Sequence, residues 1–153
     1  MSDFGITYVD SLPETIEGVT LRRERMHVLL PESHRLAKRR AGIDLVDLEQ
    51  ETLISLGLET YTRRMLDGAA AAAGISLRHG VTVPGFLEIT SLVRAGVGVG
   101  LLPAGVLPPA ERRVVARPLL KPALSIAVTL LTLRSEEHTS ELQSRFGISY
   151  AVF

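Results

Sequence analysis

The amino-acid sequence predicts an α/β fold, and three observations support this. Short runs of β-branched and apolar residues alternate with amphipathic segments of about ten residues. Glycine or proline follows most of these segments, as expected where an element ends. Hydrophobic residues make up 46% of the 153 residues, which is enough for one packed domain.

The first half of the chain is predicted to alternate strands with helices. Apolar runs predict strands at residues 4–9, 21–30 and 52–56. Asp44 can cap a short helix at residues 45–50, whereas residues 31–40 form a polar loop that we expect to stay outside the core. A longer helix is predicted at residues 61–73, and Gly74 suits its left-handed C-terminal cap.

The second half continues this alternation. A brief strand at residues 81–83 is followed by a helix that starts near Phe86 and ends at Gly96. The remaining apolar runs predict strands at residues 97–103, 114–119 and 124–133.

Gly96, Gly98 and Gly100 raise the question of a dinucleotide site. Such a site requires a strand, then a glycine turn, then a helix whose N-terminus meets the phosphates. Here the order is helix, glycines, strand, so this interpretation fails. A helix cap followed by close helix–strand packing explains the glycines better.

Candidates for catalysis or metal binding are few. The sequence has no cysteine, which excludes disulfides and thiolate ligands. His27, His34 and His79 lack helical spacing with a carboxylate, so we expect surface or hydrogen-bonded histidines and no metal. No serine lies in a Gly-x-Ser-x-Gly motif, and no base partner is evident for any of them. The sequence therefore predicts neither an enzyme nor a cofactor.

Charge and hydropathy limit the partners. Lys plus Arg and Asp plus Glu both number 17, so no large basic field is available for nucleic acid. No apolar run reaches the roughly 18 residues that a membrane span needs. With no signal peptide at the start of the sequence, these features predict a cytoplasmic protein without membrane contact.

Two predicted strand-to-helix turns have features of an anion site. In the turn at residues 82–86, the N–H groups of the first helical turn lack intrahelical partners and can hold a carboxylate. The turn at residues 55–58 has the same character, and both could face one crevice at the carboxyl ends of neighbouring strands. On the residues alone, plain connections explain these turns equally well.

The composition changes at Arg134. From there on the chain is polar, and codons of a widely used short-read sequencing adapter spell residues 134–144 and 148–153 in frame and in order. The ordinary alternative is a polar C-terminal helix capped by Ser135. The match favours an artefactual tail, so residues 134–153 are left out of the fold prediction.

Several segments, read together, resemble the effector-binding domain of LysR-type transcriptional regulators. They are residues 3–7, 21–31, 33–37, 44–48, 53–54 and, most specifically, Ser-Leu-Val-Arg-Ala-Gly-Val-Gly-Val-Gly-Leu-Leu-Pro at 91–103. Their order and spacing carry the resemblance, which covers residues 3–133. Arg35 departs from the family pattern, which usually has proline in its His-Pro-Leu-Ala stretch.

The resemblance implies a periplasmic-binding-protein-like (type 2) fold. Such domains have two α/β subdomains joined by two crossing strands, with a small effector between them. Residues 1–133 would form a partial effector-binding domain whose first subdomain is incomplete. Residues 53–107 would form the second subdomain, and residues 3–30 and 114–133 would be remnants of the first. The family's winged helix-turn-helix, linker helix and first effector-contacting turn have no counterpart in this sequence.

The resemblance also implies which residues contact the effector. They lie at the end of the first strand and in the two strand-to-helix turns: Thr7, Tyr8, Ser55, Leu56, Gly57, Thr82, Val83, Pro84, Gly85 and Phe86. These are binding roles, without catalysis, cofactor or metal. The implied function is sensing of a small, anionic metabolite by a homo-oligomeric regulator, which binds DNA only through a domain outside this chain.

Two other classes of function compete with this one. A transport-associated solute-binding protein of the same fold would carry a secretion signal upstream, whereas a regulator would carry a helix-turn-helix there. An enzyme on an α/β scaffold would need a nucleophile–base pair or a metal, and the sequence shows neither.

Overall fold

The computed structural model describes residues 4–8, 16–133 and 150–152. Within these ranges the strands are β1 (Phe4–Tyr8), β2 (Ile16–Pro31), β3 (Thr52–Leu56), β4 (Arg78–Val83), β5 (Val99–Pro103), β6 (Val114–Pro118), β7 (Ser125–Leu133) and β8 (Tyr150–Val152). The α-helices are α1 (Tyr61–Ala72) and α2 (Phe86–Arg94), and short 3-10 helices span Arg35–Lys38, Leu45–Leu48 and Ala104–Val106. The alternation of strands and helices confirms the predicted α/β fold.

Two predicted strand starts are wrong by three residues or more. β2 begins at Ile16 instead of residue 21, and β4 begins at Arg78 instead of residue 81. Residues 17–23 are exposed, and β4 contains no fully buried residue. These segments are strands because they pair with neighbours, so the apolar pattern used for prediction does not mark them.

The sheet has two halves that share β2. Its strand order is β4-β3-β5-β2-β7-β1-β8, and β6 also pairs with β2. Residues 16–25 of β2 pair with β7, whereas residues 26–31 pair with β5 and β6. The strand therefore passes from one half to the other between Arg25 and Met26.

This pairing bears on the predicted grouping of segments. The prediction places residues 114–133 with residues 3–30 in the first subdomain, and β7 does pair with residues 16–25 of β2 and with β1. β6, in contrast, pairs with residues 27–31, in the half of the sheet that contains β3 to β5. The subdomain boundaries themselves stay a prediction.

The core consists of two clusters, one on each face of the sheet. Consecutive side chains of a strand point to opposite faces. Leu53 accordingly packs in the first cluster with Leu66 of α1, and Ile54 packs in the second cluster with Ile89 of α2. The two helices thus cover opposite faces of the sheet.

The predicted roles of the glycines after the helices are confirmed. Gly74 and Gly96 have φ values of 70° and 79°, the left-handed conformation of a C-terminal cap. Gly100 allows close packing of α2, because a Cβ there would lie 2.3 Å from Ile89 Cγ2. At Gly98 a Cβ would lie 2.4 Å from the carbonyl oxygen of Thr52.

The prediction that residues 31–40 stay outside the core is wrong. Leu36 and Ala37 are 1% and 6% exposed, and Leu36 belongs to the first cluster. A 3-10 helix at Arg35–Lys38 turns them inward, and His34 Nδ1 accepts the N–H of Leu36 at its start. The polar residues around them hide this inward turn in the sequence.

We expect Leu36→Ala to lower the free energy of unfolding by about 2–5 kcal/mol, because it removes a fully buried side chain and leaves a cavity. Urea unfolding followed by circular dichroism measures this change. Lys38→Ala is the matched control on the same 3-10 helix. It is exposed, and its effect should stay within about 0.5 kcal/mol. Equal effects of the two substitutions would show that the segment does not belong to the core.

Candidate functional site

The carboxyl ends of β3 and β4 lie side by side. The two strands are parallel, with Ser55 opposite Thr82 and Leu56 opposite Val83. The two turns predicted to contact an effector, residues 55–57 and 82–86, are therefore brought together at one edge of the sheet. α1 and α2 begin just beyond this edge.

The two helices start differently. At α1, Thr60 Oγ1 accepts the N–H of Arg63 at 3.3 Å and donates to the carbonyl oxygen of Gly57 at 2.7 Å. At α2 the N-cap residue is Gly85, which offers no side-chain cap. Without a side-chain cap, the positive end of the α2 dipole lies at the carboxyl ends of β3 and β4.

Acidic and apolar side chains surround the start of α2. A Cβ on Gly85 would lie 2.8 Å from Glu88 Oε2, so this carboxylate folds back toward the helix N-terminus. Leu87 is 76% exposed and Leu58, after β3, is 66% exposed, whereas Phe86 is half-buried against the second cluster. The edge thus combines apolar walls with a helix start at which Glu88 would compete with a bound anion.

A partly open cavity of about 20 Å³ lies where the chain switches from α1 on one face to α2 on the other. Its walls come from the ends of β3 and β5 and from both helices: Ile54, Ser55, Leu56, Thr62, Arg63, Leu66, Ile89 and Leu101. Open α/β sheets bind ligands at such a switch point. A volume of this size holds about one water molecule, so it can take one small group of a larger ligand.

Thr7 and Tyr8 lie elsewhere in the sheet order. They pair with Thr129 and Val128 of β7, and three strands, β5, β2 and β7, separate β1 from β3. Their side chains fall outside the described part of the structure. The predicted contact of these two residues with an effector stays a prediction.

The model of the LysR substrate binding domain family matches residues 2–146. The chain belongs to this family. Its structure is similar to HinK, a LysR family transcriptional regulator from Pseudomonas aeruginosa, with 26% identity and a TM-score of 0.75 over 95% of this chain and 51% of HinK. This chain thus spans about half the length of HinK. No match was found among curated proteins.

Two effector-binding domains solved with ligands show the same fold. The BenM effector binding domain with benzoate is 22% identical, with a TM-score of 0.72 over 95% of this chain and 71% of that one. The QuiR effector binding domain with shikimate is also 22% identical, with a TM-score of 0.76 over 95% and 68%. At this identity they establish the fold alone, and they confirm the predicted periplasmic-binding-protein-like class.

Clusters of metal-ligating residues and membrane-spanning helices are both absent from the residues that the structure describes. Residues 4–8, 16–133 and 150–152 contain no cluster of His, Asp or Glu that could hold a metal ion. No helix in the described part of this LysR domain is long and apolar enough to cross a bilayer.

Ser55 does have a histidine partner, which the sequence analysis missed. Ser55 Oγ lies 2.6 Å from His79 Nδ1, and His79 Nε2 lies 2.8 Å from Asp67 Oδ1. The statement that no serine has a base partner is therefore wrong for Ser55. The two residues are 24 positions apart, and only the parallel pairing of β3 and β4 joins them.

This chain of hydrogen bonds does not make a hydrolase site. Ser55 is 6% exposed near the carboxyl end of β3, and the adjacent cavity cannot admit an ester or amide substrate. The Asp67 end of this chain of hydrogen bonds is fixed by Arg63, which donates to Asp67 Oδ2 at 2.8 Å. Arg63 also donates to the Leu56 carbonyl oxygen at 2.9 Å. The arrangement fixes the Ser55 hydroxyl at the base of the candidate site.

Glu24 is a second feature that the sequence analysis missed. It is 4% exposed, beside the point where β2 changes from one half of the sheet to the other. Its carboxylate accepts the N–H of Gly105 at 2.8 Å and Nε of Arg22 at 2.8 Å. Alternation along β2 could have revealed it, because Glu24 shares the buried face of Met26 and Val28.

Proposed function

We propose that this chain is the effector-sensing part of a LysR-type transcriptional regulator and binds a small carboxylate where β3 and β4 end. The observation that carries the proposal is the start of α2 at this edge, where the N-cap is a glycine without a side-chain cap hydrogen bond. Ile89 of the same helix lines the switch-point cavity. The benzoate and shikimate in the BenM and QuiR domains are both carboxylates, which supports an anionic effector.

The proposed arrangement divides the contacts between backbone and side chains. N–H groups of the first turn of α2 would receive the carboxylate, and Phe86 and Leu87 would supply an apolar wall. Thr82, which is exposed at the end of β4, would add a hydroxyl contact. In the whole regulator, DNA would be bound by a domain outside this chain, in a homo-oligomer. The effector would shift transcription only as far as it prefers one state of the protein over another.

Calorimetric titration of the chain with benzoate and with shikimate tests this proposal. We expect at least one of these two carboxylates to bind. The double variant Thr82→Ala, Phe86→Ala should bind about tenfold more weakly, a loss of roughly 1.4 kcal/mol. Glu88→Gln should strengthen binding, because it removes a like charge beside the carboxylate. Glu32→Gln is the matched control, since Glu32 is exposed and lies away from this edge.

Two results would count against the proposal. Unchanged affinity in the Thr82→Ala, Phe86→Ala double variant would exclude this edge as the site. Binding that is weakened, and not strengthened, by Glu88→Gln would show that the ligand approaches this helix with a positive or donor group.

A further inference from the structure

The hydrogen bonds around His79 determine where its proton lies when the ring is neutral. The Asp67 carboxylate can only accept, so Nε2, 2.8 Å from Oδ1, must carry the hydrogen. Nδ1 is then a lone pair, and the Ser55 hydroxyl, 2.6 Å away, must donate to it. Asp67 also forms an ion pair with Arg63, which supports its role as the acceptor from His79.

The polarity of the cavity follows from this direction. Because the Ser55 hydroxyl donates its hydrogen to His79 Nδ1, the serine oxygen can only accept a hydrogen bond from a group in the cavity. Arg63, which also lines the cavity, can only donate. A carboxylate would face the serine lone pairs, and an ammonium would face the arginine charge. A hydroxyl group suits both Ser55 and Arg63, because it can donate to the serine and accept from the arginine.

Resting on the proposed carboxylate site, we propose that the effector of this chain is a hydroxy acid. Its hydroxyl group enters the cavity of about 20 Å³, donates to Ser55 and accepts from Arg63. The volume suits one oxygen atom, which is about the size of a water molecule. His79 acts as a positioning residue that keeps Ser55 an acceptor, and the carboxylate remains at the start of α2.

The test compares matched ligands in which only the group directed at the cavity differs. We would titrate the chain with benzoate, and with its hydroxy and fluoro derivatives at the 3 and 4 positions. Fluorine is similar in size to a hydroxyl group but cannot donate. We expect one hydroxybenzoate to bind about fivefold more tightly than its fluoro counterpart, the effect of one hydrogen bond. Ser55→Ala and His79→Phe should each abolish this preference. His27→Phe, a histidine on β2 that does not line the cavity, should keep it.

A second measurement requires no variant to fold. Long-range proton–nitrogen correlation NMR of the wild-type chain reports which ring nitrogen of His79 is protonated. A proton on Nε2 alone supports the proposal, and a proton on Nδ1 overturns it, because Ser55 would then be free to donate.

The ligand series separates failure of this inference from failure of the proposed function. If benzoates bind without preference for the hydroxyl, or if the preference survives Ser55→Ala, the hydroxy-acid inference is wrong and the carboxylate site stands. If none of the carboxylates binds, both proposals fall, whatever the NMR result.

Discussion

Gly100→Ala is expected to lower the free energy of unfolding by about 1–3 kcal/mol, the cost of adding volume to a packed core. A Cβ at this position would lie 2.3 Å from Ile89 Cγ2, and also within 3.6 Å of Val93 Cγ2. Both neighbours are buried side chains of α2, so the helix would have to move off the sheet. This movement would displace the start of α2, where we propose that the effector carboxylate binds, and we expect weaker binding as well.

The origin of this effect can be isolated with a double-mutant cycle. Ile89→Ala alone should destabilise the chain by about 2–5 kcal/mol. In that background Gly100→Ala should cost little, because its methyl group fills the space that Ile89 leaves. Gly68→Ala is the control: Gly68 is exposed on α1, a Cβ there would meet nothing within 4 Å, and the change should stabilise by up to about 1 kcal/mol. Urea unfolding of the four variants measures each term. Additive costs at positions 100 and 89 would contradict the contact.

Much of the fold could be predicted from local patterns. The strand at Thr52–Leu56 and the helix that starts at Tyr61 follow directly from apolar runs and their flanking residues. The glycines at 96, 98 and 100 were assigned correctly because the order of helix, cap and strand leaves them one geometric role. Leu36 was misassigned because its burial depends on a single inward turn within a polar segment.

The candidate site was predictable only in outline. The adjacency of residues 55–57 and 82–86 follows from parallel strands, whose carboxyl ends meet at one edge. The polarity of that edge was not predictable, because it depends on contacts distant in sequence. Considered by itself, the Ser55 hydroxyl could donate or accept a hydrogen bond. Its hydrogen bond to His79, which is bonded in turn to Asp67, removes that freedom. Arg63 entered the site for a similar reason: its role depends on where α1 lies over β3.

Glu24→Ala is expected to lower the free energy of unfolding by about 2–3 kcal/mol. The main cost is the loss of the hydrogen bond that the Gly105 N–H donates to the buried, charged carboxylate of Glu24 at 2.8 Å. The ion pair with Arg22 adds little, because the Arg22 side chain is 61% exposed and solvent screens it. Glu24→Gln keeps a carbonyl oxygen for Gly105 and should cost less than the alanine change.

The position of Glu24 makes a local measurement more informative than a global one. The residue lies beside Arg25 and Met26, where β2 passes between the two halves of the sheet, and Gly105 follows β5 in the half that carries the proposed site. Its carboxylate therefore fastens the end of β5 to the shared strand. Amide hydrogen exchange at Gly105 should be faster in Glu24→Ala than in wild type, and intermediate in Glu24→Gln. Glu32→Ala, an exposed change on the segment after β2, should leave the exchange rate of the Gly105 amide unchanged. Its free energy of unfolding should stay within about 0.5 kcal/mol of wild type. If the Gly105 amide exchanges at the wild-type rate in Glu24→Ala, the Glu24 carboxylate does not hold the end of β5 against β2. The contact would then result from the way the two halves of the sheet meet, without stabilising that arrangement.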